Sequence, residues 1–370
     1  MSTPPDLSLD SPPVIREVPQ GIFVPIPNDN DGIQPLNCGV LTPDHQLVEE
    51  STTWRDGRAF SLPPRDLTAT EIEPLPGRYM FGGLLFGHFG HFLVESTARL
   101  WAYEALQDKI DGIVYLPKVQ RRIDHVQNVY TPFMKLLGIE APIHNIPSPA
   151  QVDIAHVPQQ GFGMFGMIEG LREYREFMRA RMGAKIADDG AKRLYVSRSE
   201  LPQERGGLLG ETLIEEYLRG EGYEIFHPQK HDFTTQLAAY KSADYIVSPD
   251  GSPLHMAALV VKPTTKIAVI ARRPDVAAQF ELQFRAFCGI ETLTIDALRD
   301  HWIPVNHARP SRLSYGEIDF AEVYRALKGG SLIKGDTPWP GMSDAARAEI
   351  MAVLEERQKI GFKLYQPKPV

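Results

Sequence analysis

Apolar positions along the chain change their period several times, and each change marks an element. Between about Gly21 and Leu75, short β-like pieces alternate with Pro and Asn clusters, which predicts irregular strands and loops. Pro, Ser and Asp crowd the residues before them, so 1–20 is expected to be a flexible segment. From Arg78 the pattern sharpens. The run RYMFGGLLFG reads as a strand, and the residues after it carry Phe92, Val94, Leu100, Trp101 and Leu106 at helical spacing. Gly112 to Leu116 reads as a strand, Asp124 to Leu137 as a helix and Val152 to Val157 as another strand. After the glycine- and aromatic-rich loop GFGMFGM at Gly161 to Met167 comes a charged helix, Glu169 to Lys185.

The alternation then restarts. Strands are predicted at Arg193 to Ser197, Tyr223 to Phe226, Tyr245 to Val247, Lys266 to Ile270 and Thr292 to Ile295. Helices between them are predicted at Glu211 to Leu218, Thr234 to Lys241, Leu254 to Val261 and Val276 to Phe287. Strands separated by helices of this length imply parallel, doubly wound sheets. The expected fold class is therefore α/β, with two Rossmann-like doubly wound domains facing a central cleft. In residue terms, a flexible segment (1–20) precedes a first α/β domain (21–167), a linker helix (168–192) and a second α/β domain (193–300). The tail (301–370) opens with an irregular stretch at His301 to Arg312. It continues with helices at Ile318 to Leu327 and Ser343 to Lys359, expected to pack back on the first domain.

The chain's 370 residues exceed one ordinary core and suit two domains. A net charge of -8 argues against a general nucleic-acid or anionic-membrane binder. Cys38 and Cys288 make neither a disulfide framework nor a metal-knuckle spacing, so a reducing compartment is expected. The N-terminus lacks a signal-peptide pattern, and no run approaches the ~18 apolar residues of a membrane span. The expected location is cytoplasmic, at the inner face of the membrane only through partners.

Candidate chemistry gathers at three places. In ADYIVSPDGSPLHMAA, Ala243 to Ala258, a strand stops at Ser248 to Ser252, and Pro253 suits a first helical position. Such a helix start aims free N–H groups at the crevice beyond the strand's carboxyl end, where open α/β sheets bind ligands and phosphates in particular. Arg198 and Arg205, just past the preceding strand and in its Gly-rich loop, are placed to reach a phosphate there. Arg193, opening that strand, is as readily a surface residue. The third place is His88, His91, Glu95 and Arg99, whose offsets of three, four and four put them on one helical face. His91 with Glu95 makes a base and orienter, and Gly82, Gly83, Gly87 and Gly90 favour a cleft wall over open surface. The same face is open to a metal reading, though it matches no zinc-protease spacing. The adjacent acids Asp188 and Asp189 lie in the polar linker, and neither a Walker A pattern nor a dinucleotide glycine fingerprint occurs.

Three blocks in order resemble glycosyltransferase family 61, which includes bacterial polysaccharide-assembly enzymes. They are GHFGHFLVESTARLW from Gly87, RLYVSRSELPQERGGLLGE from Arg193, and the run from Gly222 through SPDGSPLHMAAL. The family's turn commonly has His before its glycine; here Asp250 stands in that place. The resemblance implies a GT-B architecture and inverting transfer from a nucleotide-sugar, usually a UDP-sugar, without a required metal or other cofactor.

The leading expectation is thus a hexosyl- or pentosyltransferase acting on a glycan acceptor in surface polysaccharide or capsule synthesis, with polysaccharide-assembly proteins as partners. Its candidate catalytic residues are His91, Glu95 and Asp250. Arg198, Arg205, Gly251, Ser252, Leu254 and His255 would bind the donor, and His88 and Arg99 would line the acceptor side. Two other readings stand beside it: a metal-dependent hydrolase using His88, His91 and Glu95, and a non-catalytic nucleotide-sugar-binding protein.

Overall fold

A computed structural model of the protein describes residues 12–27, 36–65, 67, 71–119, 123–201, 205–274 and 276–366. The chain divides into two compact units, Met1–Lys185 and Ile186–Val370. Both are mixed α/β with parallel sheets.

The first unit is built on strands β1 (Ile15–Pro19), β2 (Arg78–Leu85), β3 (Gly112–Pro117), β4 (Ile143–Asn145) and β5 (Ile154–Pro158). Their spatial order is β1-β5-β2-β3-β4, with β1 antiparallel to β5 and every other pair parallel. β2 is central and buried from Tyr79 onward, which explains its near-continuous apolar run. The chain leaves β2 on one side for β3 and returns on the other as β5, so a switch point lies between β2 and β5.

Several expectations are corrected here. Residues 1–11 lie outside the described residues, but Ile15–Pro19 is a paired strand, not a flexible segment. The helix Arg172–Gly183, expected as a linker, buries Tyr174, Phe177, Met178 and Met182 in the first unit's core. Tyr174 stacks on Phe162 at 4.6 Å and shares a 2.7 Å hydrogen bond with Thr97. The helix predicted after Gly87 is broken into an α turn (Phe89–His91), a π turn (Phe92–Ser96) and a 3-10 turn (Leu100–Ala102). Hydroxyls account for the break: Thr97 Oγ1 donates to Leu93 O, Tyr115 Oη donates to Ser96 O, and Ser96 Oγ accepts from the Phe86 amide. Gly82 and Gly83, expected to line a cleft wall, instead lie under the packed side chains of Tyr115 and Arg99. They form a bulge in β2, where a Cβ on Gly82 would meet the Tyr115 ring at 2.5 Å and one on Gly83 (φ 100°) would meet Arg99 Nη1 at 2.8 Å.

In the second unit, β6 (Arg193–Val196), β7 (Glu224–Phe226), β8 (Tyr245–Pro249), β9 (Lys266–Ile270) and β10 (Leu293–Ile295) form an all-parallel sheet ordered β7-β6-β8-β9-β10. In chain order this is 2-1-3-4-5, the doubly wound arrangement whose switch point lies between β6 and β8. Tyr195, Val247, Ala268 and Ile270 from the sheet share a core with Ile214 and Leu218 of the helix Glu211–Gly220 and with Val323 and Leu327 of the helix Phe320–Gly329. The stretch expected to be irregular at 301–312 is in its first part a strand: β11 (Leu298–Pro304) pairs antiparallel with β12 (Tyr315–Ile318) and β13 (Phe362–Leu364). Within this unit Met351 of the last helix, Asp344–Gln358, packs with Leu209, Tyr315 and Phe362.

Cys38 and Cys288 are both buried, and burial pushes the Cys38 thiol up to about 12. Among the described residues no helix is long and apolar enough to cross a membrane.

Candidate functional site

Each unit carries one polar constellation at the carboxyl end of its sheet. In the first unit the chain leaves β2 through Phe86 and Gly87 into the α and π turns that hold His91 and Glu95. The π turn keeps the pair in register: His91 Nδ1 lies 2.6 Å from Glu95 Oε2. Glu95 is fully buried, and Arg55 holds it from the other side, with Nε 2.9 Å from Oε1 and Nη2 2.8 Å from each carboxylate oxygen. A carboxylate so paired with a guanidinium is ionised and can only accept, so the His91 Nδ1 carries the proton and Nε2 is the basic nitrogen. The imidazole stacks on Phe86 at 5.4 Å and keeps 36% of its side chain exposed. His88 meets it edge-on at 5.3 Å.

Arg55 was missed in the sequence, yet a signal exists. Trp54–Arg55 and Arg58–Ala59 pair as a hairpin, and Asp56 (φ 52°) with Gly57 (φ 67°) makes the Asp-Gly turn that favours this geometry. The hairpin sets the Arg55 guanidinium 3.8 Å over the Phe60 ring. Lys118, just past β3, is a second unanticipated cation. Partial burial, then Arg55, hold its amine below the ordinary lysine range against the pull of Glu95. Arg99 leaves the expected stripe because the helix has broken before it. It is fully buried, donating to the carbonyls of Pro158, Glu50 and Thr52, and burial lowers its pKa to about 10. It therefore pins loops together and faces no acceptor.

In the second unit the switch point gathers Arg198 after β6, Asp250 and Gly251 after β8, and Arg272 and Arg273 after β9. Arg198 passes so close over Gly251 that a Cβ there would sit 2.9 Å from Nη1; the glycine makes room for the arginine. Glu211 Oε1 accepts from the Arg198 amide at 2.7 Å, and Arg198 Nη2 donates to Gly206 O at 3.1 Å. Asp250 is fully buried and receives the Arg272 amide at 2.6 Å and Nη2 at 2.9 Å, so it ties β8 to β9 and presents nothing to a substrate. Its expected catalytic role has no geometric support. Arg198 Nε and Arg273 Nε are buried without a hydrogen-bond partner among the described residues. Burial, then Arg272, depress both arginines, Arg198 to about 9.

The remaining donor-side residues divide. Arg205 is half-buried and, with Arg198, lines a cavity of about 290 Å³ bounded by Gly207, Tyr315 and Leu354. Ser252 is partly exposed at the turn, but the helix after it runs only Pro253–Ala257 and Ser252 is already helical rather than an extended cap. The Leu254 and His255 amides are used within the turn, by Gly251 O and Ser252 O. Both side chains are buried, His255 Nδ1 lying 2.6 Å from Gln283 Oε1. Arg193 donates to Leu332 O and stacks on Tyr245, a packing role. Arg272 and Arg273 were legible only as the polar residues that follow the strand KIAVI.

Fold and site together define a mixed α/β protein with a histidine–carboxylate pair on one sheet end and an arginine cluster on the other. Residues 89–268 match the family model described as Glycosyltransferase 61, which makes this stretch a glycosyltransferase 61 domain and implies glycosyltransferase activity. The matched stretch contains His91, Glu95, Arg198 and Gly251. No curated protein matches the chain.

Proposed function

We propose that the protein is an inverting glycosyltransferase of GT-B type that moves a sugar from a nucleotide-sugar, of the UDP class, to a hydroxyl of a glycan acceptor in surface-polysaccharide synthesis in the cytoplasm. The observation that carries this reading is the arginine cluster. Three guanidinium groups crowd the switch point of the second sheet, one satisfied by Asp250 and two with buried Nε groups that have no hydrogen-bond partner among the described residues. Two desolvated cations of this kind call for an anion, and a diphosphate leaving group supplies one at the place where doubly wound sheets bind ligands. Arginines would balance its charge, so no metal is required.

In the first unit, His91 would take the proton of the acceptor hydroxyl at Nε2 as that oxygen attacks the anomeric carbon. Glu95 would stabilise the imidazolium, and Arg55 would keep Glu95 ionised and fixed in place. The metal-hydrolase reading fits less well, because both oxygens of Glu95 and the Nδ1 of His91 are already committed to one another and to Arg55. A thermal-shift screen of UDP-, GDP-, CMP- and dTDP-sugars tests the proposal, since a ligand that binds only the native state raises its Tm. A shift confined to UDP-sugars, lost in Arg198→Ala, is expected. No shift with any nucleotide-sugar would overturn the donor assignment.

A further inference from the structure

The glycine- and aromatic-rich loop after β5 has no part in the proposal so far. Phe165, in its middle, is half exposed to solvent and sits at φ 57°, the left-handed region that a bulky side chain adopts only under compulsion. It is the one residue with a large apolar side chain among the described non-glycine residues with positive φ. A strained backbone that holds a large apolar ring out into water gains nothing for the fold, since burying the ring would have been favourable.

The loop around it is otherwise firmly held. Gln160 Oε1 accepts from the Trp54 amide at 2.7 Å, and its Nε2 donates to the carbonyls of Trp54 and Phe162. The Gly161 amide donates to Ala98 O and the Leu171 amide to Gly161 O. The turn Phe165–Met167 packs against Trp54–Arg55, the strand whose arginine grips Glu95. The loop is thus fixed to the element that orients the His91 dyad, while Phe165 stays half exposed to solvent.

We propose that Phe165 is the acceptor-stacking residue: its ring receives the apolar C–H face of a pyranose in the glycan whose hydroxyl is delivered to His91. A flat, rigid ring offers large contact at little cost in conformational entropy, and it selects pyranose residues by the face they present. This rests on the glycosyltransferase reading given above.

Two variants test it. Phe165→Gly removes the ring and suits the left-handed backbone, so Tm is expected to stay level or rise. Acceptor KM should rise about tenfold with kcat within about twofold, and hydrolysis of the nucleotide-sugar by water should be unchanged. Phe165→Trp should restore the acceptor KM and place a fluorophore at the site. Its emission should shift saturably with at least one of maltotriose, cellotriose, xylotriose and chitotriose, beyond the response of the wild type. An unchanged acceptor KM in Phe165→Gly overturns the inference while leaving the donor reading intact. A wild type without nucleotide-sugar turnover removes the donor reading, and the fluorescence titration then decides the stacking role, a flat response to all four sugars overturning it.

Discussion

Replacing Arg198 by alanine should move stability and binding in opposite directions. The guanidinium is charged at neutral pH but held at about 9, well below the ordinary arginine range, first by burial and then by Arg272. A depression of that size is on the order of 5 kcal/mol against the charged form in the folded state. Because the folded pKa of this base lies below the unfolded one, the cost is fully present below pH 9 and fades only as the pH rises from there toward the ordinary arginine range. Arg198→Ala removes it, and forfeits the bond to Gly206 O, about 1 kcal/mol. The ligand-free variant should therefore be as stable as the wild type or more so, by up to a few kcal/mol. UDP binding should weaken by about ten- to a hundredfold, the loss of one charge-assisted bond of roughly 1.5–3 kcal/mol. Urea denaturation of the ligand-free protein and titration calorimetry with UDP measure the two quantities. A variant that is clearly destabilised but binds UDP as well as the wild type would show that Arg198 holds the fold and that the phosphate site lies elsewhere.

Three further outcomes follow from the same geometry. UDP affinity should be flat below about pH 8 and fall by up to about tenfold per unit above pH 9, as Arg198 loses its proton; calorimetry across pH 7–10 checks this, and Arg198→Ala should lose the dependence. His91→Ala should lower kcat by about 10²–10⁴-fold with UDP affinity near wild type, whereas Glu95→Gln should cost less because the base remains; steady-state kinetics beside calorimetry separates these from a loss of folding. Dialysis against EDTA should leave transfer activity within about twofold of the untreated enzyme, since arginines and not a divalent ion face the diphosphate in this proposal.

Most of the sheet architecture was legible because parallel strands buried on both faces write themselves as short apolar runs between glycines and helical periods, as KIAVI and GIVYL do. The His91–Glu95 contact was legible for a similar reason: a four-residue spacing survives even the change from an α to a π turn. What failed depended on contacts distant in sequence. Arg99 was drawn out of its stripe by carbonyls about fifty residues away, and the hydroxyls of Thr97 and Tyr115 broke a helix that periodicity alone would have continued. Arg55 and Glu95 lie forty residues apart, joined by a hairpin whose Asp-Gly turn is a local signal but whose partner is not. Asp250 shows the limit at the site itself. Its place in the turn was readable, while its capture by Arg272 required knowing that β8 and β9 are neighbours.

The central claim is a single direct displacement assisted by His91, and the configuration of the first-formed product tests it most directly. UDP-α-glucose, UDP-α-N-acetylglucosamine and UDP-α-xylose would each be turned over with the wild type while the anomeric proton of the new product is followed by NMR from the earliest time points. One displacement predicts a β product, from transfer to an acceptor or to water alike, and its rate of appearance should collapse in His91→Ala. An α product formed first would mean two displacements or a front-face route, and would contradict His91 as the base of an inverting transfer.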